Sequence, residues 1–263
     1  MPDHTQRTAR ARTSSGRAPQ GSQAAEPNLL LRAIPAKEYA RLIPQLEAVT
    51  LVSEQVLYEA NEPISAVYFL GTGVASMVSI MRDGATVEVS TVGNEGLIGV
   101  PLLLGALSMP VRCFLQVPGD GKRMNARPFA AAVMEHRHFR SLLLRYTQVL
   151  FNQVAQSAAC NRAHAIEQRC ARWLLMTHDR VAGDMVPLTH EFLGYMLGVR
   201  RESVSVAAET LQRAGLIEYR RGKITIRDRA GLEAASCECY GVVRASLDAL
   251  FNGTSSSHDG RGH

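Results

Sequence analysis

The chain has 263 residues, 46% of them hydrophobic, which is more than one average domain and ample for packed cores. Its longest apolar run, Leu97 to Leu107, is broken by Gly99, Pro101 and Gly105 and falls well short of the ~20 residues that span a bilayer, so a soluble protein with no membrane partner is expected. Five cysteines, an odd number without the dense framework of small secreted domains, point to a reducing cytoplasm, and a net charge of +5 is compatible with an anionic partner.

Residues 1–27 carry Arg7, Arg10, Arg12 and Arg17 among Ser, Thr, Gln, Gly and Pro. With almost no large apolar groups, this stretch reads as a disordered basic tail. A short helical stretch, "AKEYARLIPQLEAV", comes next. From about Leu51 to Leu115 the chain breaks into short β-prone pieces punctuated by glycine: "AVYFLGTGVASMVSI", "GATVEVSTVG", "GLIGVPLLLG" and "VRCFLQVPG". Turn signals recurring every ~10 residues predict a small antiparallel barrel or sandwich.

Residues 129 to 182 contain neither Gly nor Pro, which predicts a long helical tract. Phe139, Leu143, Tyr146, Leu150, Val154 and Ala158 recur every three or four positions and form one apolar seam. A helix this long beside a compact barrel would leave the seam partly open, so its expected partner is its own copy in a twofold homodimer; packing on its own barrel is the alternative. "NRAHAIEQRCARWLLMTHDR" continues as a second amphipathic helix, with Asn161 as the expected hinge and N-cap.

"LTHEFLGYMLGVRRESVSVAAETLQ" has the skeleton of a helix-turn-helix. Thr189 would cap the first helix, Gly194 would let the helices approach, Gly198 would supply the turn, and Val204 would anchor the second helix. Rotating by ~100° per residue puts Val204, Ala207, Ala208 and Leu211 on one stripe and Glu202, Val206, Glu209 and Arg213 on the other side. An outward Val among charges predicts a surface that meets something partly apolar. The following "LIEYRRGKITIRD" alternates around a basic tip, as a hairpin wing does. Between Arg200 and Arg229 there are eight Lys or Arg against four Asp or Glu, the electrostatic footprint of a phosphate backbone.

A helix in the major groove of duplex DNA accounts for this mixture. Arg201 suits guanine, Glu202 the cytosine amino group, and Val206 a thymine methyl. Thr189, His190, Arg200 and Ser203 are placed for phosphates, and Ser205, Arg213, Arg221 and Lys223 complete the expected DNA-binding set.

At these residues the chain resembles the Crp/Fnr family of bacterial transcription regulators, through "GVRRESV", the preceding "LTHEFLGYMLG" and the wing "AGLIEYRRGKITI". The resemblance implies an α+β architecture: a disordered tail (1–27), a cyclic-nucleotide-binding-like β-roll sensor (28–138), a dimerisation helix (139–160), a winged helix-turn-helix (161–231), and a C-terminal helix with a flexible tail (232–263). It also implies a homodimer on palindromic double-stranded DNA, a contact with RNA polymerase, and control by a signal at the β-roll. Arg201 and Glu202 fall where family members read bases, whereas the position four beyond Glu202, often a base-reading Arg, is Val206. A different operator preference follows.

The sensor half departs from the cyclic-AMP-binding members. Val100 follows Gly99 where those members carry Glu, and Ser108, Met109 and Pro110 stand about where an Arg-Ser pair would hold the phosphate. Arg112 could replace that pair only through a shifted loop. Cyclic AMP is therefore disfavoured, no cofactor is expected, and the effector is open. No Cys precedes Cys113, so the family's N-terminal iron–sulfur design is not expected either. Cys237 and Cys239 form a lone Cys-x-Cys, two thiolates that cannot complete a zinc site alone; no metal site is expected, and they read as ordinary helix residues.

Two other classes compete. A β-barrel enzyme of the cupin type needs inward histidines, and none lies between His4 and His136; His136 and His138 read as surface residues of the long helix. No nucleophile elbow, phosphate-binding loop or dinucleotide fingerprint occurs, so no enzyme is expected. The second competitor is a signalling scaffold whose helix-turn-helix binds protein; DNA binding should weaken steeply with salt, and a neutral protein interface should not.

Overall fold

The computed structural model describes residues 23–252. A 3-10 turn at Gln23–Ala25 leads into two short helices, α1 (Leu29–Ala33) and α2 (Ala36–Leu42). Five strands follow: β1 (Glu47–Leu51), β2 (Val56–Tyr58), β3 (Ala66–Leu70), β4 (Val74–Ile80) and β5 (Thr86–Val92). In place of the β piece read at "GLIGVPLLLG", a one-turn helix, α3 (Val100–Leu103), precedes β6 (Arg112–Val117) and β7 (Gly119–Asn125). Three helices run on from there: α4 (Ala126–Glu135), α5 (Arg137–Ala163) and α6 (Ile166–His178). Then come β8 (Met185–Pro187), α7 (His190–Leu197), α8 (Arg201–Arg213), β9 (Ile217–Arg220) and β10 (Lys223–Ile226), closed by α9 (Arg229–Ala235) and α10 (Cys239–Asn252).

The first seven strands form two antiparallel sheets, ordered β1-β7-β3 and β2-β6-β4-β5. Leu51, Tyr58, Leu70, Met77, Cys113 and Leu115 fill the space between them. This is the antiparallel β-roll expected from the glycine-punctuated segment, with one strand the apolar pattern did not mark: β7, "GDGKRMN", pairs with both β1 and β3 although only Met124 in it is buried. The helical reading of "AKEYARLIPQLEAV" stops early, because Glu47–Val49 already pair with β7.

The tail expected over 1–27 lies mostly outside the described residues, and its last part is not a tail. The Gln23 amide donates to the Ile34 carbonyl at 2.6 Å. Glu26 is buried and accepts a hydrogen bond from the Tyr39 hydroxyl at 2.8 Å and an ion pair from Lys122. A buried carboxylate needs such partners, and they tie this segment to the roll. Of the expected C-terminal tail, residues 253–263 lie outside the described residues, while α10 packs along α5 and buries Tyr240, Val243 and Leu250.

The long tract is three helices, with breaks at His136 and at His164–Ala165 where no Gly or Pro signals them. His136 is buried at the first break and is not the surface residue expected, whereas His138 is exposed on α5, as read, and meets Glu38 at 2.8 Å. Asn161 lies inside the last turn of α5; the hinge position is His164–Ala165. Ala165 has no side chain to cap α6, and the Gln168 carboxamide instead accepts from its backbone N–H at 3.3 Å.

The seam read from sequence divides. Phe139, Leu143 and Tyr146 are 0–2% exposed and pack with Leu30, Leu31, Phe69 and Phe129 on the chain's own roll. The packing alternative thus holds for the first half of α5. A different face is left open, with Leu144 at 43% and Phe151 at 66% exposure.

The two halves of the molecule share a seam. Val78 of the roll lies in the same core as α6, α7 and α8, and Phe114 meets Phe192 edge to face at 6.2 Å. Gln153 of α5 donates to the Ser90 hydroxyl at 2.8 Å and the Thr91 carbonyl at 2.9 Å. Arg180, just past α6, is buried with Glu95 of the roll, donating from two nitrogens at 2.8 and 3.0 Å.

Candidate nucleic-acid interface

The helix-turn-helix is built by local chemistry. The Thr189 hydroxyl accepts from the Phe192 N–H at 3.1 Å and caps α7. Gly198 ends α7 at φ 62°, a left-handed conformation in which a side chain would be strained and a Cβ would also press on Val87 of β5 at 3.1 Å. Gly194 faces the start of α8, where a Cβ would stand 3.1 Å from the Val199 carbonyl oxygen. Both glycines set how tightly the two helices cross.

On α8, Val204, Ala207, Ala208 and Leu211 are at most 3% exposed, whereas Glu202, Val206, Glu209 and Arg213 face out. Val206 is 57% exposed in the middle of that charged face. Arg213 reaches Glu209 only at 3.9 Å, both side chains well exposed. Thr189, Arg200, Arg201, Glu202 and Ser203 are also exposed.

β9 and β10 form the wing hairpin, with Arg221 at φ 49° and Gly222 at φ 75° in its two-residue turn. β8 adds a third strand that sequence reading missed, Val186 opposite Ile224, since three residues carry too little periodicity to show. Arg227 pairs with Glu218, and Arg229 with Asp179 at 2.6 Å. Arg200, Arg201, Arg220, Arg221 and Lys223 have no carboxylate partner among the described residues, so the unneutralised charge stands on the start of α8 and the wing tip.

His190 and Ser205 differ from the rest of the expected set. The His190 ring stacks on Tyr219 with centroids 4.0 Å apart, and its Nδ1 lies 3.0 Å from the Ser205 hydroxyl. Burial, then the nearby Arg201 charge, hold its pKa below the ordinary histidine value. The half-buried ring braces α7, α8 and β9.

Residues 168–235 match the family model of the Crp-like helix-turn-helix domain. The chain carries a Crp-like helix-turn-helix domain. No curated protein matches the chain. Solved structures share much of the fold at low identity. FixK2 from Bradyrhizobium japonicum is 18% identical, with a TM-score of 0.63 over 73% of this chain and 98% of that one. TTHB099, a Crp-family transcriptional regulator from Thermus thermophilus, is 22% identical, with a TM-score of 0.60 over 71% and 95%. TTHA1359, a Crp/Fnr-family regulator from the same organism, is 18% identical, with a TM-score of 0.56 over 72% and 98%. The helix-turn-helix is thus Crp-like by its family model, and the fold as a whole is like that of solved Crp- and Crp/Fnr-family regulators. No helix among the described residues is long and apolar enough to cross a membrane.

In the β-roll half, Gly99 sits at φ 101° before α3, and Val100 begins that helix with its side chain buried. Arg112 lies 3.3 Å from Glu59 on the roll surface, already facing a carboxylate.

Proposed function

We propose that this protein is a DNA-binding transcription regulator of the Crp/Fnr type, that it acts as a cytoplasmic homodimer reading a palindromic operator, and that it is not an enzyme. The observation that carries the reading is the exposed side of α8, an apolar Val206 beside Arg201 and Glu202, rimmed by unpaired cations. Arg201 would read guanine, Glu202 the cytosine amino group, and Val206 a thymine methyl. Thr189, Arg200, Ser203, Arg221 and Lys223 would engage phosphates, with Arg213 at the far end of α8. His190 and Ser205 would serve by holding α8 against α7 and the wing.

The open face of α5, with Leu144 and Phe151 flanked by Arg140, Arg145 and Gln148, would be the dimer surface. Twofold symmetry would then set two copies of α8 about 34 Å apart in successive major grooves. A signal at the β-roll would act through α5 and the His164–Ala165 hinge, and RNA polymerase would be the downstream partner by family likeness.

The test is selection of bound fragments from random duplex DNA, followed by a salt titration of the best site. A palindromic consensus whose affinity falls steeply with salt is expected. Absence of salt-sensitive binding to any duplex, in the presence or absence of cyclic AMP, would refute the reading.

A further inference from the structure

The last turn of α5 and the turn that opens α10 bring four ligand-type side chains together. Cys160 lies in the last turn of α5 and His164 just past its end, and Cys237 and Cys239 lie on either side of Glu238, seventy-odd residues later in the chain. All three cysteines are buried, His164 is half-buried, and one donor atom from each lies within 4.8 Å of all the others. We propose that Cys160, His164, Cys237 and Cys239 form a tetrahedral site for a single structural zinc ion.

The spacing fits one ion. Cys160 Sγ is 3.5 Å from Cys237 Sγ, and Cys239 Sγ is 3.5 Å from His164 Nδ1. Zinc with Zn–S near 2.3 Å and Zn–N near 2.0–2.1 Å holds its tetrahedral ligand atoms roughly 3.5–3.8 Å apart. A 3.5 Å sulfur pair is not a disulfide, whose bond is about 2.05 Å, and a Cys160–Cys237 bridge would leave Cys239 and His164 without a role. An iron–sulfur cluster spreads its four ligands over two or more iron atoms, and ligands on different irons stand farther apart than the 4.8 Å that spans this set.

The surroundings also suit a metal. With Nδ1 turned to the sulfurs, His164 presents Nε2 to Glu238 Oε1 at 3.2 Å, the carboxylate–histidine arrangement that fixes the tautomer of a metal-bound imidazole. The Gln156 amide donates to Cys239 Sγ at 3.0 Å. Three thiolates and Zn²⁺ leave one negative charge, and the Arg172 guanidinium is close enough to Cys160 to offset it.

Such an ion would lock the break between α5 and α6 against the start of α10. Arg169, one turn into α6, hydrogen-bonds the Leu197 carbonyl at the end of α7, so the locked break is one residue removed from the helix-turn-helix. The site would fix the angle at which the DNA-binding domain leaves α5.

The full-length protein, purified under reducing conditions and dialysed, should contain about one zinc per chain by elemental analysis. Replacement by Co²⁺ should give the visible d–d bands of a tetrahedral ion and near-ultraviolet sulfur-to-cobalt charge transfer. Cys237→Ser and His164→Gln should each lower zinc retention at least tenfold, while Cys170→Ser, in the core of α6 and outside the cluster, should not. Wild-type protein that takes up neither zinc nor cobalt overturns the proposal without any variant having to fold. Retention unchanged by both ligand variants, or iron recovered with acid-labile sulfide, overturns it equally.

Discussion

The indole N–H of Trp173 on α6 donates to Glu88 Oε1 on β5 at 2.8 Å, across the seam where the DNA-binding half meets the β-roll. The other oxygen of that carboxyl lies 2.7 Å from the Ser76 hydroxyl, which is also 2.7 Å from Gln116 Oε1. One hydroxyl proton faces two oxygens. A protonated Glu88 supplies the second proton, whereas an ionised one requires the Gln116 amide to be turned over.

Burial pushes Glu88 up to about 7, against hydrogen bonds from Ser76 and Trp173 and the charges of Arg172 and Arg180, which pull it down. An unfolded Glu titrates near ~4.3, so between these values the folded state keeps a proton that the unfolded state has lost. The stability that comes from this group is therefore full below the unfolded pKa and declines as pH rises through the folded one. Glu88→Gln keeps the acceptor for Trp173 and cannot ionise. Thermal melts at pH 5.5 and 8 should show the variant gaining on the wild type at the higher pH. An identical difference at both would mean that Glu88 is charged throughout.

Phe151→Asp tests the dimer face. The side chain is two-thirds exposed and contributes little to the chain's own core, so the monomer should fold. Sedimentation should show a shift towards monomer, and affinity for a palindromic site should drop tenfold or more, about 1.4 kcal/mol or above. An unchanged dimer would assign the interface elsewhere.

Arg201→Ala should cost about 1–3 kcal/mol of operator binding and relax preference at one base pair per half-site. A uniform loss over all sequences would make Arg201 a phosphate contact. Binding competitions over single-base operator variants distinguish the two.

Much of this molecule was legible from residue order, because the relevant physics is local. The αL turn at Gly198, the Thr189 cap and the Val204–Leu211 stripe depend on neighbours within a few positions, and so does the two-residue turn at Arg221–Gly222. Strand β7 was hidden because its polar residues are held by pairing on both sides instead of by burial. The breaks at His136 and His164 escaped because no Gly or Pro marks them.

The order of residues alone settled the wing, the two helices and the outward Val206, since helical period and turn chemistry act over a single turn or hairpin. Tertiary structure decided which face of α5 is spent on the β-roll, that His190 turns inward onto Tyr219, and that Cys160 and His164 meet Cys237 and Cys239. Those outcomes depend on segments tens of residues apart arriving at one place. Distance along the chain carries no record of that meeting until the core has formed.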